Sequence, residues 1–565
     1  MTMKRFVYIT ILGAALAMPG AMTADDLNKE ITVEKDIVPQ EREASRLNRL
    51  PQLSLSPVQA KKLSWTDRAI AAPVTNDISV LAPASYAASI ARSPYRGYID
   101  LGYFPAMQLG LSAGYRFIDS DATRLGAWLQ YDGSQYKREN VLGNKLSYRD
   151  HSGALGLSLT NDFEDIGTLK ARLSYGMSTF NFPTLEDKGL SQSTNRVDFG
   201  LGWHSTLGAF SYNIGLDYNY FGFSKAVNDE LPGLKALNEN TARLSLGGLY
   251  SFDEFNNVGL DLTGAVNGVN DFAGIGSHTF AYIQASPYYL NRGKNYSVRL
   301  GIEFDYIKGL ENKTRIYPDV RLDWSPSSSF ALYARFYGGN PNLNSASELF
   351  DQNHYINPSM SFGPSWDKYT GRLGFIVGPF AGASFEIWGG YGKVSSLPLP
   401  ALVDENTSIS AMGYYATFNM TSVNYGIAFN YTYRDLAKLR LSYEGAPQDI
   451  DKGYALWLDR ARNVFDATVT VTPVKALDLE LAYRLRSGRS VYALDLSEEN
   501  PFDHIAYTKV GLGNAGSLDF GAAYRITPQF SVWARGENLL NGKWQEVYGI
   551  PNKGITGLIG IGYKF

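Results

Sequence analysis

The 565-residue sequence contains no cysteine. It therefore offers no disulfide framework, no thiolate metal site, no cysteine nucleophile and no lipid-anchoring cysteine behind a leader. Histidine is scarce, with only 5 residues, His151, His204, His278, His354 and His504, set without metal-ligand spacing. The one Gly-x-Ser-x-Gly string, Gly110-Leu111-Ser112-Ala113-Gly114, sits within the period-two stretch Leu109, Leu111, Ala113, Tyr115 and Phe117 rather than at a strand-to-helix elbow, so little remains for enzyme chemistry, and neither catalysis nor a cofactor is expected. His354, near Asp351 and Asp367 in a long loop, is the first histidine to suspect, and the plain alternative is a solvated loop histidine. An excess of one charge is missing too: the formal net charge is -3, which argues against a nucleic-acid partner. No apolar run approaches the roughly 18 residues that a membrane helix needs. A mean hydropathy of -0.20 excludes a multi-helix membrane protein but leaves a barrel open, because only alternate barrel residues face lipid.

What the chain has in quantity is glycine, tyrosine and phenylalanine, at 56, 38 and 29 residues. Transmembrane barrels place aromatic girdles at both interfaces and use glycine where strands bend or crowd. The stretch from Ser517 to Phe565 shows the pattern most clearly. Leu518, Phe520, Ala522, Tyr524 and Ile526 alternate with Asp519, Gly521, Ala523 and Arg525, and Thr527-Pro528 then turns the chain. Phe530, Val532 and Ala534 alternate with Ser531, Trp533, Arg535 and Glu537, and later Ile559, Ile561, Tyr563 and Phe565 alternate with Gly560, Gly562 and Lys564. A period of two with apolar groups on one face and charge on the other suits a strand between lipid and water.

Three zones follow. Lys4 and Arg5, the apolar run 6–18 and the small residues up to position 24 predict a signal peptide over 1–24. Residues 25–94 are polar and punctuated by proline, which predicts a mostly unstructured periplasmic tail. Within it Ile31, Thr32 and Val33 form a short segment that either adds a strand to a partner's sheet edge or is solvated linker. Residues 95–565 predict an all-β, transmembrane, antiparallel outer-membrane barrel of about 22 strands. Short connections, such as 160–167, 206–209, 324–330, 472–476 and 526–529, alternate with long ones, such as 224–239, 340–368, 445–459 and 487–506. All short turns thus share one side, periplasmic by the general rule, and the long loops are extracellular. Alternation turns Leu169, Leu173, Leu477, Leu479 and Leu481 to lipid. It turns Lys170, Arg172, Asp478, Glu480, Arg484, Arg486, Asp519, Arg525, Arg535 and Glu537 to the lumen, where they either tune a pore or pair with one another.

Several segments carry a resemblance. Residues 521–528, Ala534-Arg535-Gly536-Glu537-Asn538-Leu539-Leu540 and Trp544-Gln545-Glu546-Val547-Tyr548-Gly549 resemble the C-terminal signature of TonB-dependent outer-membrane receptors. Residues 321–344 are similar to the barrel-and-loop pattern of the same family. The resemblance implies a 22-stranded transport barrel. Members also carry an N-terminal plug, whose arginine- and glycine-rich strands find no counterpart in residues 25–94. Residues 30–34 resemble the box that recruits TonB. Tyr563 and Phe565 are similar to the signal that delivers barrel proteins to their insertion machinery, and interfacial anchoring is the plainer role of the same rings.

Aromatics in the long segments, Tyr355, Trp366, Tyr369, Tyr454 and Trp457, are candidates for extracellular ligand or partner contacts, or else belong to the upper girdle or pack the loops together. The expected surroundings are outer-membrane lipid, the insertion machinery, and a periplasmic or cell-surface protein partner. Two functions fit: a receptor-like barrel without a recognisable plug that acts in transport as a pore or channel, and a non-transporting scaffold of an outer-membrane complex. A plug-filled, energised receptor is the third.

Overall fold

The computed structural model describes residues 94–104, 108–140, 143–164, 166–182, 190–226, 235–270, 276–309, 312–354, 363–401, 414–450, 461–494, 507–547 and 550–565. Ile31, Thr32 and Val33 lie outside the described residues, as do Tyr355, Tyr454 and Trp457.

Hydrogen-bonded staves run in chain order around one ring. They are β1 (Gly97–Phe104), β2 (Gln108–Asp119), β3 (Thr123–Glu139), β4 (Lys145–Asp162), β5 (Thr168–Phe182), β6 (Leu190–Leu207), β7 (Phe210–Phe223) and β8 (Asn238–Ser251). Next come β9 (Asn256–Val269), β10 (His278–Arg292), β11 (Tyr296–Lys308), β12 (Lys313–Ser327), β13 (Phe330–Asn342), β14 (Ser365–Phe380), β15 (Ala383–Ala401) and β16 (Tyr414–Tyr433). The ring continues with β17 (Ala437–Gly445, resumed by Gln448–Ile450), β18 (Asn463–Val474), β19 (Leu477–Ser487), β20 (Ala515–Arg525), β21 (Phe530–Glu537) and β22 (Thr556–Lys564). Each stave pairs antiparallel with its neighbours, and β22 pairs with β1 from Tyr98↔Lys564 to Tyr103↔Ile559. The 22-strand barrel is closed, as the alternation implied. Closure removes every free sheet edge, the condition for putting strands in lipid. Among the described residues no helix is long and apolar enough to cross a membrane.

The outer face is a band of large apolar side chains. Leu155, Leu157, Leu173, Leu300, Ile302, Ile559 and Ile561 all stand exposed on it. A strand needs about 10 residues to cross the hydrocarbon layer. β15 and β16, at 19 and 20 residues, exceed that, so the wall continues beyond the band.

The terminal residue closes the seam. Phe565 exchanges backbone hydrogen bonds with Gly97, at 2.7 and 3.0 Å, and its ring stacks on Tyr563 and Tyr115. One short turn escaped the sequence reading, between β14 and β15. Ala381 and Gly382 both have positive φ, 49° and 89°, the geometry of a two-residue hairpin that asparagine-glycine usually signals. An alanine in the first position hid it.

Candidate functional site: a loop folded against the inner wall

The segment that follows β13 turns inward. β13 bulges twice near its end, and Gly339, Asn340 and Asn344 all take positive φ. Gly339 has a second reason to lack a side chain, because a Cβ there would lie 1.7 Å from the Glu303 Oε1 of β11. That oxygen instead accepts the Asn340 N–H at 2.7 Å. Asn344 then ties the two arms of the loop together: its Nδ2 donates to the Gly363 carbonyl at 2.9 Å, and its Oδ1 accepts from Ser365 Oγ at 3.0 Å.

A short helix, α1 (Ala346–Gln352), follows. Ser345 caps it, accepting the Glu348 N–H at 3.2 Å. Two further N–H groups of its first turn find an acceptor in the wall rather than in the helix. Glu239 of β8, 1% exposed, accepts from Ala346 N at 2.7 Å and from Ser347 N at 3.4 Å. A carboxylate facing the positive end of a helix is the favourable sense of the dipole.

The apolar side of α1 meets the wall as a packed core. Phe180 of β5, Phe221 and Phe223 of β7, Leu237 and Val269 form a buried cluster with Ala346, and Phe350 packs against it. The Phe350 ring lies 5.3 Å from Phe180, 5.3 Å from Phe221 and 6.1 Å from Phe223. Burying each such side chain contributes about 1.5–3 kcal/mol. Polar ties surround the core: Asp351 bonds Arg196 Nη1 of β6 at 2.6 Å, and His354 Nε2 lies 3.8 Å from an Asp150 oxygen of β4. His354, first suspected for its acidic company, is thus a buried packing residue beside Phe180 and Phe350.

This contact identifies the inner face. β4 lies nine staves from β13 (13 − 4) in the ring. An outside route past nine tilted staves is roughly 55 Å, whereas the residues between Asn342 and His354 span at most roughly 40 Å fully extended. The loop reaches β4 only across the lumen. The face it lies on also carries the charged residues of the alternation, opposite the apolar band.

A second cluster holds the loop's base. Leu343 and Trp366 pack with Ala265, Phe280, Tyr282 and Ile307. The Arg315 guanidinium of β12 stacks on the Trp366 ring at 3.3 Å. Trp366 is therefore buried inside the rim, in agreement with the loop-packing alternative rather than with an external contact. Tyr369 is on the other face, stacked on Tyr391 at 5.8 Å within the outer band.

The charged residues expected on the inner face come together mostly as pairs. Arg172 bonds Asp217 at 2.7 Å, Arg525 bonds Asp478 at 2.7 Å, and Arg484 bonds Asp466 at 2.5 Å. Arg486 reaches Glu546 at 3.5 Å, and Asp519 accepts from Asn538 N at 2.9 Å. Arg535 lies over Trp533, among Asp100, Asp132, Glu480 and Glu537, and Glu537 also accepts from Thr556. Lys170 is exposed beside Arg172. The inward loop and its seat were missed. A signal existed: Phe180, Phe221 and Phe223 put aromatics on the polar parity of β5 and β7, only at the strand ends.

A closed barrel with an apolar outer band, a charged inner wall and a loop laid across its lumen defines an outer-membrane-type transmembrane barrel. No family model matches the sequence, and no curated protein matches it. Solved structures do. The FrpB iron transporter from Neisseria meningitidis superposes with a TM-score of 0.63 at 10% identity, covering 84% of this chain and 82% of that one. The siderophore receptor PirA from Acinetobacter baumannii gives 0.63 at 8%, covering 83% and 80%. FpvAI in its complex with pyocin S2 gives 0.60 at 11%, covering 83% and 70%. The barrel has the fold of TonB-dependent receptors.

Proposed function

We propose that the chain is a transport barrel of the bacterial outer membrane whose lumen is restricted by its own loop. The observation that carries the reading is the seat of α1 on the inner wall, a core of phenylalanines placed where a water-filled lumen would otherwise need polar groups. The short turns and residues 25–94 face the periplasm and the long loops face outward, a placement supported by the segregation of short and long connections. Solute moves past the inner-wall charges Lys170, Arg172, Asp478, Glu480, Arg484, Arg486, Asp519, Arg525, Arg535 and Glu537 when α1 leaves its seat. Similarity to transporters and receptors supports transport over catalysis. Tyr563 and Phe565 serve delivery to the insertion machinery. A protein partner at the long-loop end, through Tyr355, Tyr454 or Trp457, is supported by the similar receptor solved with pyocin S2.

Planar-bilayer conductance tests this. Full-length protein is compared with a variant whose residues 346–353 are a glycine-serine linker, and with one lacking residues 25–94. Large currents from the linker variant and small ones from the full chain are expected. Silence from all three turns the reading to the scaffold, and large steady current from the full chain refutes restriction by the loop.

A further inference from the structure

One feature of the inner wall has no part in holding the loop. Four arginines stand directly opposite one another on a single rung: Arg299 of β11 faces Arg321 of β12, which faces Arg335 of β13, which faces Arg372 of β14. Like charges directly opposite on neighbouring strands destabilise a sheet. A row of four therefore needs either full neutralisation or a use.

Neutralisation covers only part of it. Arg299 is fully engaged, bonding Asp319 at 2.7 Å and Asp261 at 3.0 Å. Arg335 bonds Asp323 at 2.7 Å and also donates to the Leu322 and Ala334 carbonyls. The remaining two differ. Arg321 spends its Nε on Asp319 at 3.0 Å, and its side chain is 50% exposed to the lumen. Arg372, opposite Gly390 on its other side, takes part in none of the ion pairs shown among the described residues, and its Nε is buried without a hydrogen-bond partner. It is steadied by rings instead, 5.4 Å from Trp388 and 5.9 Å from Tyr333.

A third donor stands with them. Tyr337, two residues along β13 from Arg335, lies diagonally across the sheet from both Arg321 and Arg372, because its direct partners Asp319 and Thr370 are each two residues from those arginines. Its direct neighbours across the sheet are Asp319, already held by two arginines, and Thr370. Three carboxylates oppose an anion here, and each has a donor of its own: Asp367 accepts from the Asn340 amide at 3.3 Å, Asp319 is held by Arg299 and Arg321, and Glu386 accepts from the Tyr333 hydroxyl at 2.9 Å.

We propose that Arg321, Tyr337 and Arg372 form an anion-binding subsite on the lumenal wall, at the foot of the inward loop, for a carboxylate- or phosphate-bearing solute. Two guanidinium forks supply N–H donors with no acceptor, and the phenol adds an O–H donor, the donor set that such groups take. The placement beneath Gly339, where β13 leaves the wall for the loop, puts a bound anion on the path that α1 restricts. The subsite rests on the transport reading for its purpose, but binding is measured without conductance.

Titration calorimetry on full-length protein in detergent, with citrate and inorganic phosphate as probes and glucose as the neutral comparison, tests it. Citrate or phosphate binding is expected, with glucose silent. Arg321→Gln and Arg372→Gln should each weaken binding about tenfold. Lys475→Gln, exposed in the short turn between β18 and β19, should leave it unchanged. Heat-modified gel mobility verifies that each variant is a folded barrel, and Arg372→Lys, which keeps the charge, should retain more binding than Arg372→Gln. No binding of either anion, or binding that Arg321→Gln and Arg372→Gln leave untouched, overturns the subsite. Binding in a barrel that never conducts upholds the subsite and removes the transport reading instead.

Discussion

Phe350→Ala should release α1 from the wall. The substitution deletes a ring that lies within 5.3 to 6.1 Å of Phe180, Phe221 and Phe223. Truncating a buried phenylalanine costs about 3–5 kcal/mol. Phe350 is half-buried, so about 2–3 kcal/mol is the expected loss, which lowers the docking constant roughly 30- to 150-fold. Glu239→Ala attacks the same contact differently, leaving the Ala346 and Ser347 N–H groups without their acceptor at about 1–3 kcal/mol. Combined, the two shift the docking equilibrium by about 3–6 kcal/mol, if the sites are taken as additive. Two readouts are available. Single-channel recording should show longer and more frequent high-conductance dwells, in that order of variants. Thiol labelling gives the undocked fraction directly: the chain has no cysteine, and Leu349 is 1% exposed, so Leu349→Cys reacts only when α1 lifts. Unchanged labelling and unchanged current in the double variant, with the barrel folded, would refute the view that this core holds the loop.

Three further outcomes are expected. Gly382→Ala should lower the barrel's thermal transition, because the residue has φ +89° and an added Cβ would lie 2.2 Å from the Thr432 carbonyl oxygen; an unshifted heat-modification temperature counters it. Gly97→Val should impair seam closure and slow folding into lipid vesicles, since its side chain would meet the Phe565 ring at 2.4 Å, whereas Phe565→Ala in the same background should restore part of the rate. Asp253, in the turn between β8 and β9, is held below the usual carboxylate range by the Asn256 side-chain amide and the Phe255 and Asn256 N–H groups. Its contribution to the turn is therefore complete above the unfolded value near 3.8 and disappears as pH falls through the lower folded value, so the Phe255 and Asn256 amides should exchange faster there; a flat exchange profile through that window, after correction for intrinsic rates, contradicts it.

Much of this architecture was legible because lipid imposes a simple rule. Leu477, Leu479 and Leu481 could be set against Asp478 and Glu480 without any partner being known, since one-residue slips would put charge into hydrocarbon. The same rule failed at the strand ends. Phe180, Phe221 and Phe223 break the alternation beyond the hydrocarbon layer, where nothing in the local sequence says whether an inward aromatic meets water or a loop. Trp366 illustrates the difficulty: its place in a long segment left external contact, girdle and loop packing all open, and only the meeting of β9, β10, β11 and β14 showed a pocket for it.

The sequence by itself determined the all-β antiparallel barrel of about 22 staves, because period-two alternation and turn spacing are local. Only the tertiary structure decided that residues 343–354 cross the lumen to β4, that Glu239 receives α1, and that Arg299, Arg321, Arg335 and Arg372 share one rung. Those relations join positions tens to hundreds of residues apart, and they exist only once strand register and ring closure have fixed which staves face one another.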